Sequence, residues 1–420
     1  MTNRSCTPDA ADAMTNTAAW PPALHGQARI IDMAFRGRDL VPLIEELETR
    51  ARNNPRDAAA IMDLASILIV LHQREEGFRL QQQALGIEQV FRQTIDTATQ
   101  SPLKVLMFVG PGDFMANIPV QFLLEGGNIS LDLVYVRAGE PLPEQLPEHD
   151  LAIVGVAESD ESRAILETLS STVKSWPTPV LIDPQRVAAL SRESLWQVLA
   201  GAPGVVIPRT IRIDRAEAGR LAGDESAISR ELAGVQSPII LRPVGSHAGQ
   251  GLKKIDSPDQ LTAYLEEQSA EAFYVSPFID YRGSDGQFRK YRIAFVDGHP
   301  FACHMAMAGH WMLHYLNAGM DRCADKRAQE ARWFETFDSA FAVGHAEAFR
   351  ALHERLGLEY FVIDCAETRD GQLLVFEADT AMVVHAMDSS DMFPYKPPQM
   401  RRVFEAFQAM LHAHACQPVG

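Results

Sequence analysis

The sequence predicts a chain of mixed class, α/β in its middle and α+β toward its end, behind a helical N-terminal region. Three observations predict it. Apolar residues recur with a helical period up to about residue 100. Short β-rich runs alternating with helical stretches follow Ser101-Pro102. Beyond Pro208 the β runs lengthen and include a hairpin turn at Asp297-Gly298. At roughly 150 residues per domain, 420 residues hold about two or three units.

Residues 1–26 read as a flexible lead-in, with little periodicity and Pro21-Pro22 near its end. In the helical region, 27–100, Leu40, Leu43, Ile44 and Leu47 fall on one helix face. Asn54-Pro55 breaks that helix, and Pro55 suits the first turn of the next, whose stripe is Ile61, Leu64, Ile67, Leu68 and Leu71. Gly77 reads as a turn before Phe78, Ala84, Leu85 and Phe91. In 101–207 the runs 105–109, 131–136, 151–156, 180–182 and 205–207, with a helix over 162–173, predict a small parallel sheet. The first run ends in Gly110-Pro111-Gly112-Asp113, a turn at the carboxyl end of the sheet that lacks the third glycine of a dinucleotide fingerprint. In 208–420 the runs 238–243, 272–279, 290–296, 299–307, 360–364 and 373–377 read as longer, antiparallel strands.

Composition removes several function classes. Lys and Arg number 38 against 55 Asp and Glu, a net charge of −17, which opposes nucleic-acid and anionic-lipid partners. No run approaches the ~18 apolar residues of a membrane helix. The polar N-terminus lacks a signal-peptide core. Cys6, Cys303, Cys323, Cys365 and Cys416 are odd in number and scattered, as expected of reduced thiols in a cytoplasmic protein. The Walker, His-Glu-x-x-His, Gly-x-Ser-x-Gly and His-Arg-Asp signatures are absent from the sequence.

What remains is a constellation in the second half. Strand 238–243 delivers Arg242 into Gly245-Ser246-His247-Ala248-Gly249-Gln250-Gly251, whose glycines let backbone N–H groups close on phosphate. Arg289-Lys290-Tyr291-Arg292 enters a strand with Lys290 and Arg292 on one face; an anion site and a solvated edge both fit that pattern. Asp364 ends one strand, and Glu377 and Asp379 share a face of the next, across the polar turn 368–371. Such carboxylates either gather a hard cation such as Mg²⁺ or are separately paired at strand ends.

In this order the three parts resemble the ATP-grasp superfamily, over about residues 104–414. The region before Pro208 resembles a pre-ATP-grasp α/β domain (101–207), leaving 208–420 as the two-subdomain ATP-grasp fold. The helix pair with a border Pro also resembles about one and a half of the ~34-residue tetratricopeptide units, which implies docking of a protein or peptide on the N-terminal helices, or only a packing layer. The ATP-grasp resemblance implies ATP and Mg²⁺, taken as two ions on Asp364, Glu377 and Asp379. It implies phosphate contacts from Arg192, Arg242, Lys290, Ser246, His247, Gly249 and Gly251. It places Tyr274, Val275 and Phe278 at the adenine hinge, and gives Arg292 and Arg242 catalytic roles. Arginine stands at both nominal lysine positions, keeping charge and adding a fork suited to phosphate; Asp379 stands where the family has Asn.

His304, His314, Tyr315 and Asn317 are expected on the acceptor-substrate side; His310 and His314 at helical spacing leave a zinc site as the other reading. The activity implied is ATP-dependent carboxylate–amine ligation through an acyl phosphate, with a small-molecule or peptide carboxylate and an amine as substrates; a homodimer is compatible with it. The rival readings are a nucleotide-binding interaction protein and a phosphotransferase without ligation.

Overall fold

The computed structural model describes residues 20–94, 102–223, 237–246 and 249–417. The lead-in up to residue 19, with Cys6, and the loop residue His247 lie outside the described residues.

The helical stripes become α1 (Gln27–Phe35), α2 (Val41–Asn53), α3 (Ala58–Val70) and α4 (Arg74–Leu85). Helix α3 is buried almost all round, and Asp57 caps it by accepting from the Ala60 N–H. Pro55 therefore precedes this helix instead of opening it. Gly77 lies inside α4, where a Cβ would fall 2.6 Å from Ile69 Cγ1, so the glycine serves close approach of α4 to α3. The turn falls earlier, at His72, whose φ is 64°.

Both ends of the helical region join a sheet. β1 (Ala23–Leu24) pairs in parallel with β2 (Val90–Gln93), which pairs antiparallel with β4 (Ile129–Tyr135). Beside β4 run β3 (Leu103–Val109), β5 (Leu151–Val154) and β6 (Val180–Leu181), all parallel. The resulting order is β1-β2-β4-β3-β5-β6. Buried from Val105 onward, β3 joins β5 in reading as a continuous apolar run, broken only by Lys104 at its exposed start. α4 pins the turn after β3: Gln81 exchanges two 2.9 Å hydrogen bonds with the Gly112 backbone, and Arg74 pairs with Asp113 at 2.7 Å.

The fifth short run, β7 (Val205–Val206), leaves this sheet and pairs with the strand Leu373–Asp379 in another. Next comes an antiparallel sheet of β8 (Ile211–Asp214), β9 (Ile239–Pro243), β10 (Lys253–Ile255) and β11 (Ala272–Pro277), ordered β10-β9-β11-β8. One of its faces buries Ile213, Leu241, Ile255, Phe273 and Val275 in a core of its own with Leu261 and Tyr264. At about 1.5–3 kcal/mol for each large apolar side chain, that core holds the small unit together.

The third sheet comprises β12 (Phe288–Val296), β13 (His299–Ala308), β14 (Tyr360–Glu367) and β15 (Leu373–Asp379), ordered β13-β12-β14-β15-β7. Asp297 (φ 46°) and Gly298 (φ 77°) make the expected hairpin turn between β12 and β13. This sheet and the six-stranded one share a single large core, with the helix Lys396–Ala415 packed into it. No helix among the described residues is long and apolar enough to cross a membrane.

Candidate active site

Strand register builds one wall of a cleft. His304 on β13 lies opposite Arg292 on β12, Arg292 opposite Asp364 on β14, and Asp364 opposite Glu377 on β15. Directly opposed residues share a face, so the four form a row across the sheet. A register shift follows Arg292 and another follows Asp364, local irregularities that re-aim these side chains. Arg292 grips Asp364 with Nε to Oδ1 at 2.8 Å and Nη2 to Oδ2 at 3.1 Å, while Nη1 donates to the Val383 carbonyl at 3.1 Å. Lys290 Nζ adds a 2.7 Å bond to the same carboxylate, whose side chain is only 3% exposed. Burial alone would raise the Asp364 carboxyl, but the two cations overcome it and hold it well below the usual carboxylate range.

Glu377 is paired from another element. The helix Arg192–Leu199 places Arg192 so that its guanidinium donates to Glu377 Oε2 and, at 3.1 Å, to the Phe376 carbonyl. Burial pushes Glu377 up, and Arg192 and Lys290 bring it below its ordinary value. Asp379 differs from both: it accepts from the Ala381 N–H at 2.9 Å, and burial together with the neighbouring Glu377 charge lifts it to about 6.

The opposite wall is the open face of the antiparallel sheet. Tyr274 on β11 lies between Arg212 on β8 and Arg242 on β9, all three pointing away from the apolar core. Arg212 is held by Asp160, from the loop after β5, through bonds of 2.8 and 2.6 Å. Among the described residues Arg242 has no carboxylate partner; its guanidinium donates to the Ser246 carbonyl and, at 3.3 Å, to Ser246 Oγ. Burial and the nearby Arg192 charge pull it down to about 10, a sign of a cation crowded by another cation. Gly251 needs its glycine: φ is 69°, and a Cβ would fall 2.7 Å from the Pro243 ring.

At the expected hinge, Val275 is buried in the core, on a strand paired on both sides, to Ile211 and to Leu241. Phe278 donates its N–H to the Pro238 carbonyl and meets Trp311 edge-on at 5.7 Å; Lys254 Nζ sits 5.0 Å from its ring centre.

His304 stacks on Tyr315 at 4.8 Å, and burial with the Arg292 and Lys396 charges holds the imidazole well below its usual pKa, hence neutral. The Tyr315 hydroxyl donates to the fully buried Glu330 at 2.9 Å. Asn317 is a turn residue: its Oδ1 accepts from the His314 N–H and its Nδ2 donates to the Met312 carbonyl. His314 lies apart from His304, against Gly249 of the glycine loop.

Sequence reasoning missed Glu158, on the loop after β5, which burial and the Asp379 and Asp160 charges raise to about 7. The rule that ligands gather at the carboxyl ends of parallel strands points to that loop. Among the described residues, no three His, Cys, Asp or Glu side chains are grouped to hold a metal ion by themselves. Asp364 is already compensated by two bonded cations, whereas Glu377 has Arg192 alone and Asp379 has no bonded cation among the described residues, so the charges of Glu377 and Asp379 crowd each other. They are the oxygen donors that fit Mg²⁺, which takes one or two carboxylates and completes its shell with phosphate and water.

No family model and no curated protein matches the chain. Among solved structures it is similar to a RimK domain ATP-grasp protein from Sphaerobacter thermophilus, at 15% identity and a TM-score of 0.43 over 74% of this chain and 99% of that one. The VanG D-Ala:D-Ser ligase from Enterococcus faecalis aligns at 13% identity and a TM-score of 0.46, over 75% and 100%. The ATP-grasp ligase PsnB, in complex with a minimal precursor, Mg and ADP, aligns at 15% and 0.43, over 75% and 100%.

Proposed function

We propose that the chain is an ATP-dependent carboxylate–amine ligase of the ATP-grasp kind. One observation carries the reading: Arg242, a half-buried cation with no carboxylate partner among the described residues, sits over a glycine-rich turn and near Arg192, facing the row Arg292, Asp364 and Glu377. Cations converging without enough anions are what a triphosphate would complete.

In the reaction, a substrate carboxylate oxygen attacks the γ-phosphorus and ADP leaves; the amine then attacks the acyl carbon, phosphate leaves, and the nitrogen loses a proton. Arg242 and Lys290 would bind phosphate oxygens. Arg292, fixed on Asp364 and the Val383 carbonyl, would offer its remaining N–H groups to charge developing on the phosphoryl and acyl oxygens. Glu377 and Asp379 would hold Mg²⁺, which supplies charge neutralisation of the triphosphate. Asp364 acts as the anchor of Arg292 and Lys290 in this arrangement.

For the acceptor we propose a peptide or small-molecule carboxylate that meets the N-terminal helices. α1 supports this: Ala28 and Ile31 pack with Val383 and Met387, so this helix backs the loop that receives Arg292.

Hydroxylamine intercepts acyl phosphates as hydroxamates. Incubating the chain with Mg-ATP, hydroxylamine and pooled carboxylates should yield a hydroxamate in a one-to-one ratio with ADP. ADP release without hydroxamate from any pool would overturn the ligase reading.

A further inference from the structure

In the row His304, Arg292, Asp364 and Glu377, only the histidine is left uncommitted. Arg292 and Lys290 are bonded to Asp364, and Arg192 is bonded to Glu377. Neither ring nitrogen of His304 has a hydrogen-bond partner among the described residues, and neither is enclosed, so both reach solvent. A histidine that only fills a core is ordinarily fixed through its own nitrogens.

This one is fixed by other means, from two sides and by one buried carboxylate. Glu330 accepts the N–H of Met305, the residue after His304, at 3.0 Å, and the Tyr315 hydroxyl at 2.9 Å. Tyr315 in turn stacks on the imidazole at 4.8 Å with the ring planes 12° apart. The Tyr395 hydroxyl adds a 2.7 Å bond to Glu330, and Lys396 Nζ lies 3.9 Å from the Tyr315 ring centre. Strand and stacking partner are thus tied to the same point, and the imidazole is held in place without using either nitrogen. The charges that act on the ring are Arg292 and Lys290 from β12, Asp364 from β14 and Lys396 from the C-terminal helix. Burial and the cations prevail and keep it neutral, the form that has a free lone pair. An acyl phosphate beside Arg292 would oppose those cations and restore the ring's affinity for a proton.

We propose that His304 is the proton acceptor of the amine step. This rests on the ligase reading above and gives a destination to the proton that the nitrogen loses. As the nitrogen bonds to the acyl carbon, its proton passes to an imidazole nitrogen. The carbon–oxygen bond to phosphate then breaks with its electron pair on the oxygen, and the imidazolium gives its proton to water at its open edge. Tyr315 and Glu330 are positioning residues in this scheme.

Hydroxylamine reacts with acyl phosphates unaided, so hydroxamate counts the acyl phosphate formed, while amide counts the step that needs the base. Both are measured on one sample with Mg-ATP, pooled carboxylates and either hydroxylamine or pooled amino acids, so an unfolded fraction cancels in their ratio. General base catalysis contributes about 10²- to 10⁴-fold, and His304→Ala should lower the amide-to-hydroxamate ratio by that factor. Added imidazole should raise the ratio again by at least about tenfold, whereas pyrazole, of the same size but far less basic, should not. Tyr315→Leu, which keeps the imidazole but removes its support, should lower the ratio by roughly tenfold. An unchanged ratio in either variant would overturn the assignment. So would equal recovery with imidazole and pyrazole, or recovery with neither. Hydroxamate without amide from the unmodified chain would remove the amine step and the assignment with it. Neither hydroxamate nor ADP from the unmodified chain would instead overturn the ligase reading itself.

Discussion

Arg292→Met tests the row of charges at its centre. The substitution keeps most of the apolar stem but removes two charge-assisted bonds to Asp364 and the bond to the Val383 carbonyl. Asp364 is 3% exposed and cannot turn to water, though Lys290, itself 15% exposed, still holds one of its oxygens. Breaking a buried pair costs about 3–5 kcal/mol, and the surviving lysine argues for the lower end, about 3 kcal/mol. Asp364→Asn leaves two cations facing a neutral amide and should cost about 2 kcal/mol; the double variant should recover about 2 kcal/mol of the summed loss. The small antiparallel sheet has a core separate from the large one, so global unfolding need not be one step. Native-state hydrogen exchange at the β12 and β14 amides is therefore the assay, since it reads the opening free energy of the strands themselves. A loss below about 1 kcal/mol in Arg292→Met, or coupling below about 0.5 kcal/mol, would refute the view that Asp364 anchors these cations.

Three further outcomes follow from the same geometry. Glu377→Gln should keep Mg-nucleotide binding within about tenfold yet cut turnover by 10²-fold or more, read by titration and ADP release; unchanged turnover would remove Glu377 from the metal. Asp379 ionises at about 6 in the folded chain against 3.8 ordinarily, so its contribution to stability is present below about pH 4 and lost as pH rises through about 6. In EDTA, the melting temperature should fall over that window more steeply in the parent than in Asp379→Asn, where the raised Glu158 carboxyl still contributes; matching profiles would contradict the raised Asp379 carboxyl. Gly77→Ala should destabilise by about 1–2 kcal/mol despite alanine's better helix propensity, because its Cβ meets Ile69 Cγ1 at 2.6 Å and the Ala65 carbonyl at 3.0 Å. A raised melting temperature would show that α3 and α4 can separate at no cost.

The site was legible where its geometry is local. Residues two apart on a strand share a face, so Lys290 with Arg292 could be grouped from sequence alone, and the Asp297-Gly298 turn set β12 beside β13. Partnerships across the chain were not legible. Arg192 and Glu377 are 185 positions apart, and only the packed fold shows that the arginine neutralises a carboxylate as well as facing the cleft. For the same reason Asp364 read as a metal ligand on sequence alone, while the fold surrounds it with Lys290 and Arg292. Short strands were harder to read: Val90–Gln93 has too few residues to declare a period, and Val205–Val206, though legible as β, gives no hint of which sheet it joins. Gly77 shows the ambiguity of glycine, which marks a turn and a close helix contact with the same letter.

The most direct test of the central claim is analysis of the nucleotide product after incubating the chain with Mg-ATP and pooled amino acids and peptides. ADP and phosphate should form only when both a carboxylate and an amine are supplied, together with a new amide of matching mass. AMP and pyrophosphate would contradict the claim outright, since they signal an adenylate in place of an acyl phosphate.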